Sequence, residues 1–167
     1  MNRIEWDLLF MKIAHLVSER STCAKIKVGA VLVKDKRIIS IGYNGVPSKH
    51  EHCIDYFKKY FDKHYSSRFE NFEHYLKSEL FLEEHKKWSE EHELHAEANA
   101  IAFAARNGIN VNGSTLYITH SPCFACSKLI IQSGVDLVCY EIEYDQKALL
   151  FLAKSAVRVK RINHEYS

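Results

Sequence analysis

Residues 115–162 read TLYITHSPCFACSKLIIQSGVDLVCYEIEYDQKALLFLAKSAVRVKRI. Thr115 to Thr119, Val135 to Tyr140 and Val157 to Ile162 have the length and β-branched content of strands. Cys123 to Gln132 and residues 145–154 have the composition of helices, and Ser133-Gly134 ends the first of them. Strands alternating with helices require parallel pairs joined by right-handed crossovers. Upstream, Val28 to Val33 and Ile38 to Tyr43 form two more strand-like runs. Only Asp35-Lys36 and their flanks separate them, which predicts an antiparallel hairpin.

Two further helices complete the pattern. Ile4, Leu8, Leu9, Met11, Ile13, Leu16 and Val17 make a helical stripe over residues 4–19. Ala96 to Ala105 is nearly all apolar and helix-forming, so this helix is expected to be buried and to stop at Asn107-Gly108. These elements predict a three-layer α/β/α sandwich with a mixed five-stranded sheet. Residues 54–92 are dense in aromatics, Lys, Glu and His and lack Gly and Pro. They read as one or two helices that cap the core with a solvated charged face. The chain, residues 1–167, is thus expected to be a single domain with a helical insertion at about 54–92.

Composition narrows the function. The 167 residues are 47% apolar and 26% charged, an ordinary globular balance. A net charge of +2 is too small to point to a polynucleotide or membrane surface. No run approaches the ~20 apolar residues that span a bilayer. The opening Met1 to Asp7 is acidic and amphipathic, unlike a signal peptide, so a cytoplasmic location is expected. Five cysteines, an odd count, argue against a disulfide framework and for reduced thiols that bind metal.

Two segments carry chemistry: His95-Ala96-Glu97 and Pro122-Cys123-Phe124-Ala125-Cys126. Cys-x-x-Cys in the first turn of a helix brings two thiols together, and the helix N-terminus favours their thiolates. By itself the pair fits a redox couple or half of a structural zinc site as well. Two thiolates and one imidazole around zinc leave a fourth position for water, the arrangement of a catalytic metal that makes hydroxide available near neutral pH. His95 and Glu97 would diverge in mid-helix but can converge where a helix begins. His95 can then bind the metal, while Glu97 stands unliganded as a proton shuttle.

With these motifs the sequence resembles the cytidine/deoxycytidylate deaminase superfamily, and within it the phage-type dCMP deaminases, over about residues 8–162. The resemblance also rests on Val28-Gly29-Ala30, Gly42-Tyr43-Asn44-Gly45, Ala98-Asn99-Ala100-Ile101, Ala104 to Gly108, Tyr140-Glu141 and Tyr144-Asp145. It implies that His95, Cys123 and Cys126 bind a catalytic zinc and that Glu97 moves protons. It implies a sugar contact from Asn44, an Ala96 N–H to the base O2 and a Ser121 carbonyl to the C4 amino group. Tyr144 would bound the phosphate, and His120 would lie against the base or simply pack. It further implies a second, structural zinc on Cys23, Cys53, His85 and Glu93, with His50 and His52 as rival ligands. Cys139 is expected to be inert core.

The reaction so implied is hydrolysis of dCMP to dUMP and ammonia, supplying dUMP for thymidylate synthesis. A dCTP or dual-specificity deaminase is the alternative among enzymes, and a zinc-stabilised nucleotide-binding protein the alternative of another class. Relatives of this branch are hexamers activated by dCTP and inhibited by dTTP, which would involve Tyr43, Gly45 and Arg106. The glycine-rich stretch that often follows this loop is replaced here by Ser48-Lys49-His50-Glu51-His52.

Overall fold

A computed structural model describes residues 3–163; of the amphipathic opening, Met1 and Asn2 lie outside the described residues. Helix α1 (Trp6–Ser18) is followed by the hairpin β1 (Gly29–Lys34) and β2 (Arg37–Tyr43). Asp35 and Lys36 both take positive φ, the twist that suits a two-residue hairpin turn. The insertion comes next, as α2 (Cys53–His64), α3 (Phe72–Leu76) and α4 (Glu79–His92). Then follow α5 (Ala96–Arg106), β3 (Thr115–His120), α6 (Phe124–Ser133), β4 (Leu137–Ile142), α7 (Gln146–Lys154) and β5 (Arg158–Arg161).

The sheet order is β2-β1-β3-β4-β5. β1 is antiparallel to both β2 and β3, while β3–β4 and β4–β5 are parallel. Because side chains alternate along a strand, each central strand feeds two cores. Val31, Val33, Tyr117 and Cys139 face Phe10, Met11, Ala14 and Val17 of α1. Ala30, Leu32, Leu116, Ile118, Val138 and Tyr140 face α5, α6 and α7. The expected three-layer sandwich with a mixed five-stranded sheet is therefore the observed one.

Two close approaches set the spacing between layers. A Cβ on Gly29 would lie 2.0 Å from the Ala14 carbonyl oxygen, so α1 sits directly on β1. A Cβ on Gly42 would lie 2.3 Å from the Ala96 oxygen and 2.4 Å from the Ala100 nitrogen. The first turns of α5 thus rest on the backbone of β2, where the Ser40 hydroxyl also donates to the Ala100 carbonyl at 2.7 Å.

The structure corrects two expectations. The insertion holds three helices, because the Asn71 and Ser78 side chains each cap a new helix start. Its rings, chiefly Phe57, Phe61, Tyr75 and Phe81, form their own core, and the Tyr65 and Tyr75 hydroxyls both donate to Glu84 at 2.6 Å. Helix α5 is buried on one face only: Ala96, Ala100 and Ala104 are fully buried, but Phe103 is 51% exposed. A run that is nearly all apolar carries little periodic signal to show which face is outside. Among the described residues no helix is long and apolar enough to cross a membrane.

Gly42→Ala is expected to lower unfolding free energy by about 1–3 kcal/mol through overpacking. The neighbouring exposed Ile41→Ala should cost under about 1 kcal/mol. Urea denaturation of the two variants checks this difference.

Candidate metal centres and active site

His95 is the N-cap of α5 and Cys123 the N-cap of α6, both with extended backbone. An N-cap side chain is free to project beyond the helix end, so His95 and Glu97 can serve one site. His95 Nδ1 lies 3.4 Å from Cys123 Sγ and 3.5 Å from Cys126 Sγ. Ligands at ordinary zinc distances and tetrahedral angles would be about 3.5 Å apart. The three donor atoms therefore fit one zinc ion.

The approach of α5 is held in several places. Gly45 and Leu94 exchange two backbone hydrogen bonds, at 3.1 and 2.8 Å, immediately before His95. The Asn99 amide donates to the Tyr43 carbonyl at 2.9 Å. The resemblance marked Asn99 without giving it a task; here it ties α5 to the end of β2.

Electrostatics follow the geometry. The contact with Cys126 holds the Cys123 thiol down at about 4, and the same contact pushes Cys126 up. The hydrogen bond with Cys123 raises the His95 imidazole to about 9. Glu97 is only 3% exposed. Burial pushes its carboxyl up to about 7, with His95 pulling it down and the Cys123 thiolate pushing it further up. Its carboxylate is not among the three clustered donor atoms.

A second cluster forms where the insertion meets the loop between α1 and β1. The donor atoms of Cys23, Cys53, His85 and Glu93 lie within 4.8 Å of one another. Cys23 Sγ is 3.2 Å from His85 Nε2. His85 Nδ1 and Glu93 Oε1 are buried without hydrogen-bond partners. A buried carboxylate oxygen without a partner is costly unless a cation is there to meet it. Contact with Cys53 holds Cys23 down at about 3, and burial raises Glu93 to about 7. His50 and His52, the rival ligands, instead line a surface hollow of about 680 Å³ with Glu51, Asp55, Lys58 and Lys59. His52 Nδ1 also contacts the Thr22 hydroxyl at 3.2 Å.

The remaining predicted residues fall into groups. Asn44 is 6% exposed, and its side chain ties the end of β2 to the segment before β1. Its Oδ1 accepts from Val28 N and its Nδ2 donates to the Ile26 carbonyl, both at 2.8 Å. Ala96 heads α5, where first-turn N–H groups have no partner within the helix. Ser121 is buried just before Pro122-Cys123. Tyr144 is 67% exposed. His120 ends β3, with Nδ1 3.1 Å from the Thr119 hydroxyl. Burial, then the charge of His15, lower its pKa, while Glu141, paired with His15, raises it. Arg106 closes α5, ten residues past Ala96 and so about 15 Å along the axis from the metal cluster. The structure does not bring it to the site. Cys139, on β4, is buried against the α1 side of the sheet, and burial pushes its thiol up to about 12.

The chain belongs to the cytidine and deoxycytidylate deaminase family: residues 4–142 match the model of its zinc-binding region. Within that family it is similar to phage enzymes. It is 40% identical to the deoxycytidylate deaminase of Enterobacteria phage T4 over 149 residues, 81% of this chain and 77% of that one. It is 36% identical to the deoxycytidylate deaminase of Mycobacterium phage D29 over 143 residues, 86% of this chain and 99% of that one. The structure of the cyanophage S-TIM5 dCMP deaminase in complex with dCMP and dUMP is 32% identical. That match covers 97% of this chain and all of the other, with a TM-score of 0.71.

Proposed function

We propose that this chain deaminates dCMP by hydrolysis, giving dUMP and ammonia. The observation that carries the reading is the His95–Cys123–Cys126 cluster with its three donor atoms spaced for one ion, beside the buried carboxyl of Glu97. The related cyanophage enzyme, named as a dCMP deaminase and solved with dCMP and dUMP, supports the substrate.

His95 would hold the catalytic zinc through Nδ1, with Cys123 and Cys126 through sulfur. Bound there, zinc supplies a water acidified toward a pKa of ~7, and so a nucleophile for C4. Glu97 carries the protons. A carboxyl held near 7 can accept one and release one at the same pH. It gives a proton to N3 of the pyrimidine and later one to the departing amine. The Ala96 N–H meets the base O2. The Ser121 carbonyl meets the C4 amino group, with its residue fixed by Ser121 N donating to the Ile142 carbonyl at 2.7 Å. Asn44 keeps one amide hydrogen for the sugar after its bond to Ile26. His120 flanks the base and the exposed Tyr144 ring bounds the phosphate.

Cys23, Cys53, His85 and Glu93 supply the four donors of a closed structural zinc site, which fastens the insertion to the body. The two unpartnered buried atoms at this cluster support that reading. The chain works as one domain. A hexamer with dCTP as activator and dTTP as inhibitor is part of the same proposal. The Tyr43–Gly45 loop would carry the signal, because it already holds the residue before His95.

Ammonia release from dCMP, dCTP, cytidine and deoxycytidine, measured side by side, is expected to favour dCMP. Equal rates on all four would refute phosphate recognition. Glu97→Ala should keep fold and metal while losing about 10²–10⁴-fold in turnover or more.

Metal analysis is expected to give about two zinc ions per chain, falling to about one in Cys53→Ser. One ion in the unaltered protein would remove the structural site.

A further inference from the structure

We infer that Asp145 is a positioning residue for the Cys123–Cys126 pair, and that it works through a reciprocal clasp with Ser121. The inference rests on the reading of His95, Cys123 and Cys126 as zinc ligands given above. A single carboxylate joins two helix starts. Asp145 Oδ1 accepts from Ala148 N at 3.1 Å and so caps α7. Its Oδ2 accepts from Phe124 N at 3.0 Å. Phe124 is the first residue of α6 and follows Cys123 directly. In the other direction, the Ser121 hydroxyl accepts from Tyr144 N at 2.8 Å and Asp145 N at 3.2 Å. Ser121 N donates in turn to the Ile142 carbonyl at 2.7 Å. The loop leaving β4 and the loop leaving β3 thereby hold each other on both sides of Cys123.

The clasp matters because the native cap of α6 is poor. Cys123 Sγ accepts from Cys126 N at 3.4 Å, and sulfur is a weak acceptor. A thiolate committed to a metal has less to offer that N–H. Asp145 supplies what the sulfur does not: a charged acceptor on the neighbouring N–H, at the end of α6 where the helix dipole favours an anion. The Phe124–Phe151 ring contact, centroids 4.9 Å apart, keeps α6 and α7 together at the same place. Asp145 lies one residue past the Tyr144 backbone N–H that Ser121 binds, so the loop that presents the Tyr144 ring is held by the same bonds.

Two roles must be separated, capping α7 and orienting Cys123. Asp145→Ser separates them. Serine is a good N-cap and keeps the bond to Ala148, but it has no second oxygen for Phe124. Outer partners of metal ligands typically change metal affinity about 10–100-fold when removed. The experiment measures zinc transfer to a colorimetric chelator from the intact zinc-loaded protein. The phase absent in Cys126→Ser marks the catalytic cluster.

Asp145→Ser should release that zinc about 10–100-fold faster, with a thermal midpoint within about 4 °C of the unaltered protein. The thiolate-to-metal absorption band of the cobalt-loaded protein should shift. Should Asp145→Ser fail to fold, Asp145→Thr, likewise an N-cap with a single side-chain oxygen, takes its place, with the same faster release expected. Unchanged release and an unchanged cobalt band would overturn the inference, whatever happens to the thermal midpoint. An unaltered protein that holds no zinc at His95 would overturn both the clasp and the catalytic reading; unchanged release from a zinc-loaded variant would overturn the clasp alone.

Discussion

The site depends on the start of α5 lying against the backbone of β2 at a distance that only a glycine permits. Gly42 leaves no room for a side chain beneath Ala96 and Ala100. Ser40, Asn99 and the Gly45–Leu94 bridge then fix the helix in rotation and along its length. His95 is the last residue before that helix, so its backbone is placed by the same contacts. Cys123 and Cys126 come from the other side, on a helix start that follows β3. The metal site is therefore the meeting point of two helix N-termini on one face of one sheet. The dipoles of both helices favour the negative thiolates gathered there.

The same convergence shapes the acid. Glu97 lies in the first turn of a helix packed on the sheet, so its carboxyl is buried beside charged neighbours. Burial raises its proton affinity, which would suit the proposed role of taking and giving a proton near neutral pH. The insertion follows a different logic. Its aromatic core stabilises three helices, but its join to the loop between α1 and β1 runs through Cys23, Cys53, His85 and Glu93. Buried thiols, an imidazole and a carboxylate make a poor apolar interface, a conflict that the proposed metal ion would resolve.

Much of this was legible in the residues. Strands with β-branched residues on both faces, the Asp35-Lys36 turn and the alternation after residue 115 have short-range signatures, and they led to the right architecture. The His-x-Glu and Cys-x-x-Cys motifs pointed to side chains that the fold brings together, because each sits where a helix begins. What escaped was long-range. The caps at Asn71 and Ser78 split the insertion, but uniform aromatic and charged composition hid the breaks. The exposed side of α5 left no trace in a run of alanines. Asn44 was read as a ligand for substrate; that its amide also ties the end of β2 to the segment before β1 depends on contacts distant in sequence. Asp145 was visible as a helix start, but its second bond, to Phe124 twenty-one residues earlier, depends on how two loops meet in space.

A crystal structure of the zinc-loaded protein, read for the coordination sphere at His95, tests the central claim most directly. Nδ1 of His95, the sulfurs of Cys123 and Cys126 and one oxygen that does not belong to the protein should complete a tetrahedron, with the Glu97 carboxyl nearby and unbound. A fourth protein ligand, direct ligation by Glu97, or two helix starts too far apart to share an ion would contradict the account.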